Sequence, residues 1–167
     1  MATTKEAKAL FVRNVIFGVE DSLVSTVGLL SGIALDATPR ATVLLTGFVY
    51  IFVEGFSMAV GSFLSEEGAQ EYLTRKRGGM GSSIFGALVM LVSFIVAGFI
   101  PLLPYLLLGD ASAIALSVAV SIVVLFALGV FSGRVASTGG VSRGLRMAVL
   151  GGLAIVIGVV VGRFFKP

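Results

Sequence analysis

Residues 41–65 read ATVLLTGFVYIFVEGFSMAVGSFLS, and Glu54 is the only charged side chain in this stretch. About 20 apolar residues in an α-helix span the roughly 30 Å hydrocarbon core of a bilayer. The stretch lacks the alternation of apolar and polar residues that is typical of a strand in a membrane barrel. It therefore predicts a membrane-spanning helix that carries one carboxyl group.

Four further apolar segments follow the same pattern, and the composition of the whole chain agrees with them. The 167 residues are 57% hydrophobic and 13% charged, with a mean hydropathy of +1.08, whereas soluble domains carry about 25% charged residues. Glycine or proline and charged residues separate the segments, as expected for loops at the water boundary. These features predict an all-α integral membrane protein, with one transmembrane domain over residues 1–167. The predicted spans cover approximately residues 10–35, 41–65, 82–108, 112–133 and 145–164.

The residue types that the chain lacks exclude several classes of function. With no Cys and no His, it can have no disulfide, no thiolate metal site and no imidazole base. It also lacks a phosphate-binding loop, so we expect neither enzyme activity nor a bound cofactor. The net charge of +3 does not indicate nucleic-acid binding, because the basic residues cluster beside the apolar segments that lie in the bilayer.

The distribution of Lys and Arg predicts the orientation of the chain in the membrane. Five spans place the two termini on opposite sides. One side then collects Lys5, Lys8, Arg13, Arg75, Lys76, Arg77, Arg134, Arg143 and Arg146, and the other collects Arg40, Arg163 and Lys166. Because cytoplasmic loops carry the excess of basic residues, we expect a cytoplasmic N-terminus and a C-terminus on the opposite side.

Small residues recur four positions apart within the predicted helices, a spacing that lets two helix backbones approach closely. The pairs are Gly28 and Gly32, Ser57 and Gly61, Gly129 and Gly133, and Gly158 and Gly162. They favour either packing inside one five-helix bundle or a seam between two copies. Since five helices can hardly enclose a polar path alone, we expect a homodimer with the first helix at its seam.

Acidic residues inside the predicted spans are the strongest functional signal. A charge at the centre of a bilayer costs at least about 2.5–3.5 kcal/mol, so such residues face a partner or a water-filled path. Asp21 lies about 11 residues into the first span, roughly 16 Å along a helix, and Glu54 lies at a similar depth in the second. No Lys or Arg occurs at this depth in any predicted span, which leaves a proton or a transported cation as counter-charge. Glu20 is a weaker candidate, because neighbours on a helix point about 100° apart.

Several other side chains are candidates for the same path. Met58 follows Glu54 by four residues and so shares its helix face, where a thioether beside a carboxylate suits a first-row divalent metal. Ser57 and Ser25 could line the path, although Ser25 could equally bond back to the carbonyl one turn earlier. Glu67 and Glu71 lie four apart after the second span and could attract cations at the cytoplasmic mouth, or could form a solvated helix end.

Two of these stretches together resemble the vacuolar iron transporter family. Residues 18–32, GVEDSLVSTVGLLSG, are similar to the family's first-helix motif, and residues 54–61, EGFSMAVG, are similar to its second-helix motif. The Gly-rich ending after Arg143 resembles its last helix. The resemblance implies a homodimer of five-helix subunits that exports Fe²⁺, and often Mn²⁺, from the cytosol in exchange for protons. It implies a path between the subunits, with Asp21, Ser57 and Met58 at the family's functional positions.

The chain also departs from this family pattern. Ser22 stands where the family usually has Gly, and Ser62 stands where Glu is common. Tyr50 occupies the position of the second-helix acid in some eukaryotic members, while Glu54 falls where many bacterial members carry Asp. Only residues 66–81 separate the second and third predicted segments, so the family's Glu-rich, three-helix metal-collecting domain is absent. The resemblance is therefore to a minimal member.

Three hypotheses follow for the function. The leading one is a proton-coupled exporter of a divalent transition metal, with the metal ion, protons and the bilayer as partners. The second is a transporter of another cation or small solute on the same scaffold. The third is a non-transporting membrane assembly subunit, for which Asp21 and Glu54 would tolerate replacement by Asn and Gln.

Overall fold

The computed structural model describes residues 4–34, 38–75, 80–108, 112–137 and 139–164, with side chains from residue 7 onward. Lys76, Arg77 and Lys166, which contribute to the predicted charge asymmetry, lie outside the described residues. The described residues form five α-helices, each long and apolar enough to cross a membrane. They are α1 (Thr4–Ile33), α2 (Arg40–Thr74), α3 (Met80–Leu107), α4 (Ser112–Val135) and α5 (Gly140–Phe164). The prediction of an all-α, multi-pass membrane protein with five helices is confirmed.

Three helices extend beyond their predicted apolar segments. α1 begins at Thr4 rather than near residue 10, α2 continues to Thr74 rather than ending near residue 65, and α5 begins at Gly140 rather than near residue 145. Hydropathy marks only where a helix leaves lipid, whereas its backbone hydrogen bonds continue into water. The 35 residues of α2 correspond to roughly 52 Å, so this helix projects beyond the bilayer core. It ends at Arg75, whose backbone is left-handed with φ 55°.

α1 is the central helix of the bundle and contacts all four others. Around it, α2 packs on α3, α3 on α4, and α4 on α5. Within the described ranges, α2 contacts neither α4 nor α5. The bundle therefore has an open side between α2 and α5, and α1 forms the floor of that groove.

Glycines bring α1 and α5 into backbone contact. A Cβ atom added at Gly158 would lie 2.5 Å from the carbonyl oxygen of Gly28, and one added at Gly32 would lie 2.8 Å from the carbonyl oxygen of Gly158. Gly162 packs against Gly32 in the same way. The contact supports the internal-packing alternative for Gly28 and Gly32. The expectation that these two glycines mark a dimer seam is wrong, because α5 of the same subunit covers them.

Hydrogen bonds from side chains tie the other helices together. Ser22 Oγ of α1 donates to the Phe94 carbonyl oxygen of α3 at 2.6 Å, where both residues are fully buried. At the C-terminal end of α3, Arg40 Nε donates to the Tyr105 carbonyl oxygen at 2.8 Å, and the same guanidinium donates to the carbonyl oxygen of Leu106. The last carbonyls of a helix lack partners within the helix, so Arg40 caps α3 from the start of α2.

We expect Gly158→Ala to lower the thermal unfolding temperature of the purified protein in detergent. The added methyl group would overlap the Gly28 backbone, and overpacking of this kind typically costs about 1–3 kcal/mol. Gly152→Ala is the matched control on the same helix, since a Cβ there meets no atom within 4 Å. The control should unfold at an equal or higher temperature, because Ala favours helix over Gly by up to about 1 kcal/mol. Equal destabilisation by the two variants would contradict the α1–α5 contact.

Candidate functional site

Asp21 of α1 and Glu54 of α2 lie close enough for their carboxylates to interact electrostatically. Both residues are half-buried. Gly55, the neighbour of Glu54, is buried against Ile95 and Phe94 of α3, which turns the Glu54 face of α2 away from α3. The two acids that the sequence singles out at matching depth thus lie together on the open side of the bundle.

Tyr50 belongs to the same group, although the sequence did not identify it as a site residue. Its hydroxyl hydrogen-bonds to the Ser25 side chain and interacts electrostatically with both carboxylates. Ser25 Oγ in turn donates to the Asp21 carbonyl oxygen at 2.5 Å. The signal in the sequence is the four-residue spacing of Tyr50 and Glu54, which places them on one helix face.

Glu20 is directed away from this pair and into a cavity. The cavity has a volume of about 800 Å³ and includes Ser57 and Met58 of α2, whereas Asp21 and Glu54 are not among its lining residues. This division follows from helix geometry, since adjacent side chains diverge by about 100°. The remaining lining residues are Arg13, Asn14, Ile16, Phe17, Gly61, Ser62, Ser65, Met90, Ser132 and Arg143.

Two charged groups act on Glu20. The carboxylate of the adjacent Asp21 acts more strongly, and the exposed guanidinium of Arg143, which lines the same cavity from α5, acts more weakly. The expectation that Lys and Arg are absent concerned only the depth of Asp21 and Glu54. For Asp21, the nearby charge that acts most strongly is the carboxylate of Glu54.

Asn14 lines the cavity, although the sequence did not identify it as a site residue. It is 1% exposed, and its Oδ1 accepts a hydrogen bond of 3.2 Å from Ser62 Oγ. Ser62 is the position where the family commonly has Glu. A carboxylate there would bring a charge beside Asn14, whereas the hydroxyl of Ser62 leaves this wall of the cavity neutral.

Glu67 and Glu71, the residues predicted at the cytoplasmic mouth, lie on the part of α2 that projects beyond the apolar segment. Glu67 is half-buried and Glu71 is exposed, and neither lines the cavity. Their neighbour Glu66 accepts a hydrogen bond of 2.9 Å from the Arg13 guanidinium and one of 3.0 Å from Gln70 Nε2. Glu66 therefore joins α2 to α1, while Glu67 and Glu71 stay on the projecting end of α2.

One subunit supplies few strong metal ligands. In the part of the chain that the structure describes, no group of three or more Asp, Glu, His or Cys side chains is placed to hold a metal ion. Asp21 and Glu54 can offer carboxylate oxygens, and Met58 lies one turn further along α2. Any fuller coordination shell needs hydroxyl groups, water or ligands from a second copy.

We expect the cavity to hold water, and cysteine labelling can test this because the natural chain has no Cys. Ser57→Cys should react with a membrane-impermeant thiol reagent, since Ser57 lines the cavity. Val92→Cys on α3 is the control, at a side chain that is 59% exposed but lies outside the cavity lining. Labelling of Val92→Cys with protection of Ser57→Cys would contradict a hydrated cavity.

Comparison with known proteins agrees with the geometry. The VIT family model matches residues 12–81 and 76–163. The chain is 35% identical over 175 residues to vacuolar iron transporter homolog 5 of Oryza sativa subsp. japonica, covering 96% of this chain and 83% of the relative. It is 28% identical over 174 residues to homolog 1 of the same organism, covering 90% and 72%. An uncharacterized protein of Methanocaldococcus jannaschii is 24% identical over 163 residues, covering 87% and 84%. This chain of five membrane helices therefore belongs to the VIT family.

Proposed function

We propose that this protein exports a divalent transition metal, Fe²⁺ or Mn²⁺, from the cytosol in exchange for protons. Two relatives are vacuolar iron transporter homologs, which supports a metal-ion transporter rather than an enzyme. The observation that carries the proposal is the pair of neighbouring carboxylates, Asp21 and Glu54, on two membrane helices. Hard oxygen ligands inside a membrane are the feature that a cation path requires.

The charge of this pair supports exchange between metal and protons. Two neighbouring carboxylates in a half-buried setting repel each other, so the pair favours sharing a proton or a cation. A divalent cation stabilises both ionised groups. Metal and protons therefore compete for the same oxygens, and binding of one releases the other. Tyr50 lies one helical turn before Glu54 and interacts electrostatically with both carboxylates. Its hydroxyl adds a further polar group to the path.

Met58 and Ser57 support selection of a transition metal. They lie one turn from Glu54 on α2, at the cavity wall that also includes Glu20. A thioether is a soft ligand that suits Fe²⁺ better than Ca²⁺ or Mg²⁺, which prefer oxygen ligands alone. With the N-terminus in the cytoplasm, as the basic residues predict, the cavity opens toward the cytosol and Glu67 and Glu71 lie at its approach.

We propose that a second copy completes the path, in a homodimer whose seam is formed by α1 and α2. The polar side of α2 is open: Ser57 and Gly61 are exposed, and a Cβ at Gly61 would meet no atom within 4 Å. Lipid cannot satisfy polar groups, so protein or water must cover this face. A two-fold copy would also bring a second Asp21 and Glu54 to a site that one subunit leaves short of ligands.

We expect Asp21→Asn to abolish metal flux driven by a pH gradient in proteoliposomes, and Glu54→Gln to abolish or severely weaken it. Both variants remove a carboxylate that metal and protons would share, while the side-chain volume stays nearly constant. Asp21→Glu is the control that keeps the charge, and it should retain part of the flux. Uptake is measured for Fe²⁺, Mn²⁺, Co²⁺, Zn²⁺ and Ca²⁺, with thermal unfolding as the check on folding.

Unchanged pH-driven flux in Asp21→Asn would overturn the exchange mechanism. If both neutral variants also keep the function of the natural protein in cells, the alternative of a non-transporting assembly subunit is favoured. Flux of Ca²⁺ in preference to every transition metal would favour the alternative of another cation on the same scaffold.

We expect single cysteines at the proposed seam to cross-link two copies in the membrane. Phe17→Cys on α1 and Gly61→Cys on α2 are suitable, since both positions line the open groove, and a disulfide needs Cα atoms within about 7 Å. Val96→Cys on α3, at a side chain that is 63% exposed, is the control that should stay monomeric. Failure of every α1 and α2 position to cross-link would remove the dimer from the proposal.

A further inference from the structure

Two arginines at one end of the bundle lack a protein partner in the part of the chain that the structure describes. Arg13 pairs with Glu66. In contrast, Arg134 on α4 and Arg146 on α5 form no hydrogen bond or ion pair with a described residue, and both are exposed. Residues 111–167 contain no Asp or Glu, so this part of the chain supplies no carboxylate to balance the two charges.

The two arginines lie at the same end of the α4–α5 hairpin. The side chain of Arg134 rests on the start of α5, since its Cγ lies 3.5 Å from a Cβ added at Gly140. Arg146 follows Gly140 by six positions, or about 9 Å along the helix axis. The apolar segments end at residue 133 and resume at residue 145. Both arginines therefore lie at the boundary between lipid and water, where long basic side chains extend toward the headgroups.

An exposed apolar stripe continues from Arg146 along α5. Four side chains, each more than half exposed, follow Arg146 by 3, 4, 7 and 11 positions and so share its helix face. They are Val149, Leu150, Leu153 and Ile157. Eleven positions correspond to roughly 16 Å, about half of the hydrocarbon core. The stripe is therefore an apolar surface that leads from the arginines toward the middle of the membrane.

A second copy of this chain is an unsuitable partner for this surface. Two subunits related by an axis along the membrane normal bring the same ends of their helices together. The arginines of both copies would then meet, and residues 111–167 hold no carboxylate to place between them. Like charges placed together across an interface disfavour it strongly. A partner with a negatively charged head and an apolar tail fits both parts of the surface.

We propose that Arg134, Arg146 and the apolar stripe of α5 form a binding site for an anionic phospholipid. The phosphate accepts hydrogen bonds from the guanidinium groups, whose planar donors match phosphate oxygens, and an acyl chain lies along the stripe. The choline of a zwitterionic lipid is repelled by the same arginines, so the site discriminates by headgroup charge. With a cytoplasmic N-terminus, the site lies in the cytosolic leaflet, which carries anionic lipids. It does not depend on metal transport.

Native mass spectrometry of the full-length protein in detergent tests the site, with phosphatidylglycerol and phosphatidylcholine of identical acyl chains as probes. Since each arginine near an anionic lipid contributes about fivefold in affinity, the natural protein should prefer phosphatidylglycerol about twentyfold. Arg134→Gln and Arg146→Gln should each remove about fivefold, and together they should abolish the preference. The double Lys variant, Arg134→Lys with Arg146→Lys, keeps both charges and should stay within about threefold of the natural protein.

Arg163→Gln is the control, at an exposed side chain at the opposite end of α5, and it should leave the preference unchanged. Equal affinity for the two lipids would overturn the lipid site, and so would an intact preference in a double Gln variant that unfolds at the normal temperature. Inorganic phosphate that displaces phosphatidylglycerol at equal concentration would assign the arginines to a free anion instead. Leu153→Cys should stay monomeric under oxidation in the membrane, whereas efficient disulfide-linked dimers would show that a second copy covers the stripe.

Discussion

Carboxylates inside a bilayer must be kept from lipid, and the architecture of this protein depends on how it meets that requirement. Each such charge costs at least about 2.5–3.5 kcal/mol if it is left unpartnered. The bundle places α1, which carries Glu20 and Asp21, at its centre. All three acids of the spans then lie near other polar groups: the carboxylates of Asp21 and Glu54 interact electrostatically, and Glu20 lines the polar cavity.

The central position of α1 is possible because its neighbours approach it very closely. Gly158 of α5 touches the backbone of α1 at Gly28. On the other side, Gly98 of α3 makes room for Ser22, since a Cβ there would lie 2.9 Å from Ser22 Oγ. The hydroxyl that replaces the family's usual Gly is thus accommodated, and it bonds to the Phe94 carbonyl. With α1 fixed on these two sides, its acidic face is left for α2 and the open groove.

The polar groups form two levels along the bundle. The first is the cavity with Glu20, Met58 and Arg143, and the second is the group of Asp21, Glu54, Tyr50 and Ser25. Adjacent positions on α1 supply one acid to each level, so a cation that leaves Glu20 is already close to Asp21. In the proposed function, the second level is the place where metal and protons would exchange.

The sequence by itself determined the five helices and identified the acidic residues within them as candidate site residues. Runs of about 20 apolar residues have no other stable form in lipid, and a carboxyl group within such a run is visible without a structure. The four-residue spacing of Glu54 and Met58 likewise indicated a shared face.

Only the tertiary structure decided which helix covers each face. Helix periodicity defines a face but not its partner, so Gly28 and Gly32 were expected at a dimer seam and instead pack on α5. For the same reason, only the packed bundle shows that Tyr50 lies near Asp21 and that Asn14 lines the cavity. It also shows that Glu20 and Arg143, which are more than a hundred positions apart in the chain, line the same cavity.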